Sequence, residues 1–133
     1  MDYENLINLA IKARESSYSP YSGFSVGASV LCKNGKIYTG CNIESSAYSE
    51  TICAERVALS KAISEGERDF VAIAVVGGKD SITSFTYPCG ACRQFLSELC
   101  PQELEIVLFN GIYMEKTTLG ELLPKSFNRS SIV

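Results

Sequence analysis

Apolar positions recur along this chain with two periods, and the switches between them predict its elements in order. Tyr3, Leu6, Leu9, Ala10 and Ala13 repeat at helical spacing, with Glu4, Asn8, Lys12 and Glu15 on the remaining faces. Asp2 stands where a capping side chain belongs, so an amphipathic helix is predicted over 3–15. Residues 16–23, Ser-Ser-Tyr-Ser-Pro-Tyr-Ser-Gly, are turn chemistry. The tyrosines there and Phe24 either pin the loop or form a pocket wall. Residues 26–32 and 36–42 read as strands on either side of Asn34-Gly35. That dipeptide favours a type I′ turn with positive φ at both central positions, which makes the two strands antiparallel neighbours.

Residues 51–65 form a second, more apolar helical pattern through Ala54, Val57, Ala58, Leu59, Ala62 and Ile63, closed by Gly66. Residues 70–76 are a near-continuous apolar run ahead of Gly77-Gly78, the pattern of a central strand covered on both faces. Pro88 opens a third helix carrying Phe95, Leu96 and Leu99, and Pro101 stops it. Residues 105–109 read as a fourth strand. Asn110-Gly111 then turns the chain into a fifth over 113–116, and 119–123 make a short helix. The order α-β-β-α-β-α-β-β-α predicts an α/β fold, a three-layer α/β/α sandwich on a five-stranded mixed sheet.

A chain of 133 residues fits one domain over 1–133. Its longest unbroken apolar run is 70–76, too short to cross a bilayer, and the chain starts on Asp2 and Glu4 rather than a basic leader. No membrane partner and a cytoplasmic location are therefore expected. A net charge of −3 with only 12 scattered Lys and Arg disfavours a nucleic acid polymer and allows a small neutral substrate.

Six cysteines without a secretory leader argue for reduced thiols, and the absence of histidine removes every His-based triad and every His metal ligand. Any metal site must be built from cysteine. Cys89 and Cys92 are i, i+3 at a helix start, the spacing that points two sulfurs one way. Cys53 opens the other buried helix, whereas Cys32, Cys41 and Cys100 read as small core residues. Three thiolates and one open position make a catalytic zinc site, and helix starts offset its negative charge. Arg56, one turn after Cys53, is placed to donate to the sulfurs; its plainer reading is a surface charge. Glu55 is the candidate proton carrier, its pKa raised beside an anionic thiolate cluster. A thioredoxin-like redox pair or a structural zinc remains the alternative for Cys89-x-x-Cys92. Asn42 and Glu44, at a strand exit, suit vicinal hydroxyls but are also ordinary solvated loop residues.

Cys53-Ala54-Glu55, followed by Pro88-Cys89-Gly90-Ala91-Cys92, resembles the signature of zinc-dependent nucleoside and nucleobase deaminases. With cysteine in the histidine position, it is similar to the small homotetrameric cytidine deaminases. The stretches 20–28, 40–44 and Cys92-Arg93-Gln94 carry the same resemblance. It implies one Zn²⁺ per subunit on Cys53, Cys89 and Cys92, with Glu55 as proton shuttle and Arg56 bonded to the ligand sulfurs. It implies that Asn42 and Glu44 hold the ribose 3′-hydroxyl, with Ala54 also at the substrate and Phe24 as an aromatic wall. It puts Tyr48 on an inter-subunit loop and Phe127 in a neighbouring subunit's pocket, so that a homotetramer shares its sites. The implied reaction is hydrolysis of cytidine and 2′-deoxycytidine to uridine and 2′-deoxyuridine plus ammonia, in pyrimidine salvage. Rivals are deamination of a blasticidin-type antibiotic, which Glu44 opposes, deamination of a polymer, and a non-catalytic zinc module, which Glu55 opposes.

Overall fold

The computed structural model describes residues 1–133. Its main elements are α1 (Tyr3–Arg14), β1 (Ser25–Cys32), β2 (Ile37–Cys41), α2 (Ala54–Ser64), β3 (Phe70–Gly78), α3 (Gly90–Leu99), β4 (Glu105–Phe109), β5 (Met114–Thr118) and α4 (Leu119–Leu122). The strands form one mixed sheet in the order β2-β1-β3-β4-β5. Only β3 and β4 are parallel, the pairing that needs a crossover, and α3 supplies it.

The alternation of β3 divides the core. Ala72, Ala74 and Val76 face α1 together with Val107, against Leu6, Ile7 and Ala10. Ile73 and Val75 face the other way with Ile106 and Leu108, against Ala58, Leu59 and Leu96. A strand buried on both faces cannot alternate apolar with polar, which explains the unbroken run in the sequence. Two glycines let the helices approach. A Cβ on Gly27 would stand 1.9 Å from the Ala10 carbonyl oxygen, and one on Gly40 would stand 2.4 Å from the Ala58 nitrogen.

Direction in the sheet places the chemistry. Both β2 and β3 are antiparallel to β1, so they run the same way and their C-terminal ends share one edge of the layer. α2 follows β2 and α3 follows β3, so both helices begin near that edge. In open α/β sheets that end is where ligands are bound.

Three details differ from the sequence reading. The helix predicted from residue 51 starts at Ala54, because Ile52 pairs in extended form with Ile43. The Asn-Gly turns are not type I′: Gly35 and Gly111 have φ of 92° and 99°, but neither Asn34 nor Asn110 has positive φ. In both, the Asn side chain instead accepts a backbone N–H two residues on, from Lys36 and from Ile112, an Asx turn that spares Asn the left-handed region. The fifth strand extends to Thr118, whose hydroxyl caps α4.

Candidate functional site

Cys53 is the N-cap of α2 and Cys89 the N-cap of α3, both in extended backbone conformation. Neither sulfur caps a backbone N–H of its own helix, so both are free to point outward. Cys92 lies one turn into α3 and is fully buried. The three sulfurs lie within 4.8 Å of one another, and Cys53 Sγ is 3.8 Å from Cys89 Sγ. Sulfurs about 2.3 Å from a tetrahedral zinc stand about 3.8 Å apart, so the donor set and its spacing fit that ion. Cys32, Cys41 and Cys100 are free thiols outside the cluster. Burial holds the Cys100 thiol up at about 12, as suits a core residue.

The site is polarised before any metal is added. Cys53 is drawn down to about 5, chiefly by its hydrogen bond with Cys92 and then by Arg56 and Cys89. Cys92 is pushed up, first by its interaction with Cys53 and then by burial. Arg56 Nη2 donates to Cys53 Sγ at 3.8 Å and to the Thr51 carbonyl at 3.2 Å. Its buried Nε has no protein partner.

Glu55 is only 4% exposed and stands outside the thiol cluster. Its carboxyl is pushed up to about 7. The sequence reading ascribed such a rise to the neighbouring thiolates. Burial is the larger cause, and the charge on Cys53 adds to it.

A cavity of about 180 Å³ brings Asn42, Cys53, Ala54, Glu55 and Cys89 together. Larger hollows exist elsewhere on the surface, but none of them combines thiols with a buried carboxylate. Val26, Thr51, Thr86 and Tyr87 also line the cavity and escaped the sequence reading. Thr86 and Tyr87 directly precede Pro88, and adjacency to that motif was the available signal.

Other candidates lie outside this cavity within the single chain. Glu44 accepts from the amides of Tyr21 and Ser22 at 3.0 and 3.1 Å and from the Ser22 hydroxyl. These bonds, the hydroxyl first, hold its carboxyl below the usual range, so it is an ionised acceptor. It lines a separate hollow with Tyr21 and Tyr48, whose rings meet edge to face at 6.5 Å. Phe24 walls another hollow beside Gly77 and Thr86. Phe127 is 65% exposed, tethered only through its carbonyl to Gln94 Nε2 at 2.8 Å.

Residues 1–108 match the cytidine and deoxycytidylate deaminase zinc-binding region. A cytidine deaminase of Sporosarcina psychrophila is 49% identical over 133 residues, covering 99% of this chain and 96% of the relative. The crystal structure of cytidine deaminase from Burkholderia pseudomallei superposes with a TM-score of 0.89 at 45% identity, over 96% of this chain and 100% of that one. A blasticidin-S deaminase of Bacillus cereus is more distant, 34% identical over 110 residues, 79% of this chain and 78% of the relative.

Proposed function

The chain belongs to the cytidine and deoxycytidylate deaminase family, and we propose that it hydrolyses free cytidine and 2′-deoxycytidine to uridine and 2′-deoxyuridine with release of ammonia. The observation that carries this reading is the buried, non-ligand carboxylate of Glu55 beside three convergent thiols. A structural zinc has no use for such a group, and burying a carboxylate carries a desolvation cost that a structural site would bear for no gain.

Cys53, Cys89 and Cys92 hold the zinc. When bound, zinc supplies a Lewis acid that lowers the pKa of a coordinated water to about 7. Glu55 accepts a proton from the attacking water and delivers it to N3 of the pyrimidine, then takes the second proton from the oxygen added at C4 and passes it to the departing amine. Burial, which raises the carboxyl's pKa, favours a group that can both take and return a proton. Water adds at C4, the C4–N4 bond breaks, ammonia leaves, and C4 becomes a carbonyl. Arg56 draws electron density from the sulfurs and keeps the metal electrophilic. Asn42 and Glu44 hold the sugar 3′-hydroxyl, Ala54 borders the base, and Phe24 walls the pocket.

Residues 1–133 act as a single catalytic domain in a homotetramer, with Tyr48 and Phe127 serving a neighbour's pocket. Their exposure, 78% and 65%, supports this, since the lone chain leaves most of each side chain open to solvent. Pyrimidine salvage in the cytoplasm is the setting; no helix is long and apolar enough to cross a membrane.

The test is loss of ultraviolet absorbance of cytidine with purified protein, with and without a zinc chelator. Turnover that the chelator abolishes and zinc restores is the expected result. No turnover of cytidine or deoxycytidine by zinc-loaded protein would overturn the reading.

A further inference from the structure

Asn42 enters the metal cavity with nearly all its hydrogen-bonding capacity already used. Its Oδ1 accepts from Val26 N at 2.9 Å and from Ser17 Oγ at 2.5 Å, and its Nδ2 donates to the Phe24 carbonyl at 2.8 Å. A side-chain amide has two acceptor lone pairs and two N–H donors. Both lone pairs are filled and one N–H is spent. What remains is a single N–H, on a residue that is 8% exposed and lines the cavity.

Ser17 belongs to neither strand of the hairpin that carries Asn42; it sits in the turn after α1. Its one hydroxyl proton faces two acceptors, Asn42 Oδ1 at 2.5 Å and Ser19 Oγ at 3.2 Å, and goes to the nearer. Ser17 is thus the one hydroxyl that meets the amide, with Ser19 beside it and Ser25 3.1 Å beyond.

We propose that Ser17 is a positioning residue for the nucleoside: by filling the second lone pair of Asn42 Oδ1, it fixes Asn42 as a pure donor toward the sugar 3′-hydroxyl. This rests on the assignment of Asn42 to that hydroxyl. The sugar oxygen must then accept from Asn42 and give its own proton to Glu44, whose ionised carboxylate can only accept. Loss of Ser17 leaves the amide held on fewer sides, and the cost falls on substrates that carry a 3′-hydroxyl.

The test compares kcat/KM for cytidine and 3′-deoxycytidine in wild type, Ser17→Ala, Ser17→Thr and Asn42→Ala, with zinc content and melting temperature measured on each. Ser17→Ala is expected to lower kcat/KM for cytidine about fivefold, mainly through KM, the loss of one neutral hydrogen bond. The value for 3′-deoxycytidine stays unchanged, zinc stays bound, and Ser17→Thr restores the hydroxyl and the preference. If Ser17→Ala slows both nucleosides equally, or moves only the melting temperature, or changes nothing, Ser17 has no such role. If Asn42→Ala keeps the full preference for cytidine, the assignment of Asn42 falls and this proposal with it. If Asn42→Ala abolishes the preference while Ser17→Ala retains it, only the role of Ser17 is refuted.

Discussion

Arg56 reaches back one helical turn to Cys53, with Nη2 3.8 Å from Sγ, while the same nitrogen holds the Thr51 carbonyl at 3.2 Å. The guanidinium therefore ties the sulfur to the strand-like segment that precedes the helix. Arg56→Ala removes both bonds and the charge that helps keep Cys53 ionised. Zinc affinity or kcat should fall about 10- to 100-fold, the usual range for loss of an outer-shell partner. Chelator competition and steady-state kinetics on the same preparation measure it; no change in either makes Arg56 structural.

Glu55→Gln should keep zinc and lose turnover by at least about a hundredfold, since a positioned proton carrier contributes that much. The shape of the site is retained, so metal analysis should still find the ion.

The same substitution carries a pH signature in metal-free protein. Glu55 titrates at about 7 in the folded chain, above the ordinary 4.5, so between those values the folded state binds more protons than the unfolded one. Its contribution to stability therefore falls as pH rises from about 4.5 to about 7, and is constant above. Glu55→Gln should melt higher than wild type by a margin that grows across that window. A margin independent of pH would mean the carboxyl is not shifted.

Glu44→Ala should damage cytidine turnover far more than folding. Removal of a charged acceptor from a bound hydroxyl lowers kcat/KM about 10- to 100-fold. The carboxylate also organises Tyr21 and Ser22, so a small fall in melting temperature accompanies it. A lower melting temperature with unchanged kinetics would make the residue structural.

Gly40→Ala tests how the sheet sets the site. Its Cβ would lie 2.4 Å from Ala58 N and 2.7 Å from Ala54 O, both backbone atoms of α2. The helix must move away, taking Cys53 with it. A destabilisation of about 1–3 kcal/mol or more is expected by denaturant unfolding, with weakened zinc retention. Wild-type stability would contradict the packing described.

Element order was legible because each segment's apolar period matches its burial: β3 is buried on both faces and reads as an unbroken run, α1 on one and reads as a stripe. The metal set was legible because, with no histidine in the chain, only Cys53, Cys89 and Cys92 stand at helix starts. The start of α2 was not, since Ile52 is held extended by an isolated bridge to Ile43, a pairing that no apolar period signals. Thr86 and Tyr87 were missed because the segment between β3 and α3 has no period to read. The resemblance puts Glu44, Phe24 and Phe127 at the substrate, yet the folded single chain keeps them out of the metal cavity, with the Glu44 carboxylate bonded to Tyr21 and Ser22. The hydroxyl of Ser17 was invisible too, because nothing in a run of turn residues tells which serine faces Asn42.

Metal stoichiometry measured on reduced, folded protein, alongside cytidine turnover, probes the foundation most directly. One zinc per chain is predicted, lost together with activity in Cys89→Ser. A folded preparation that converts cytidine with no bound metal would contradict the account.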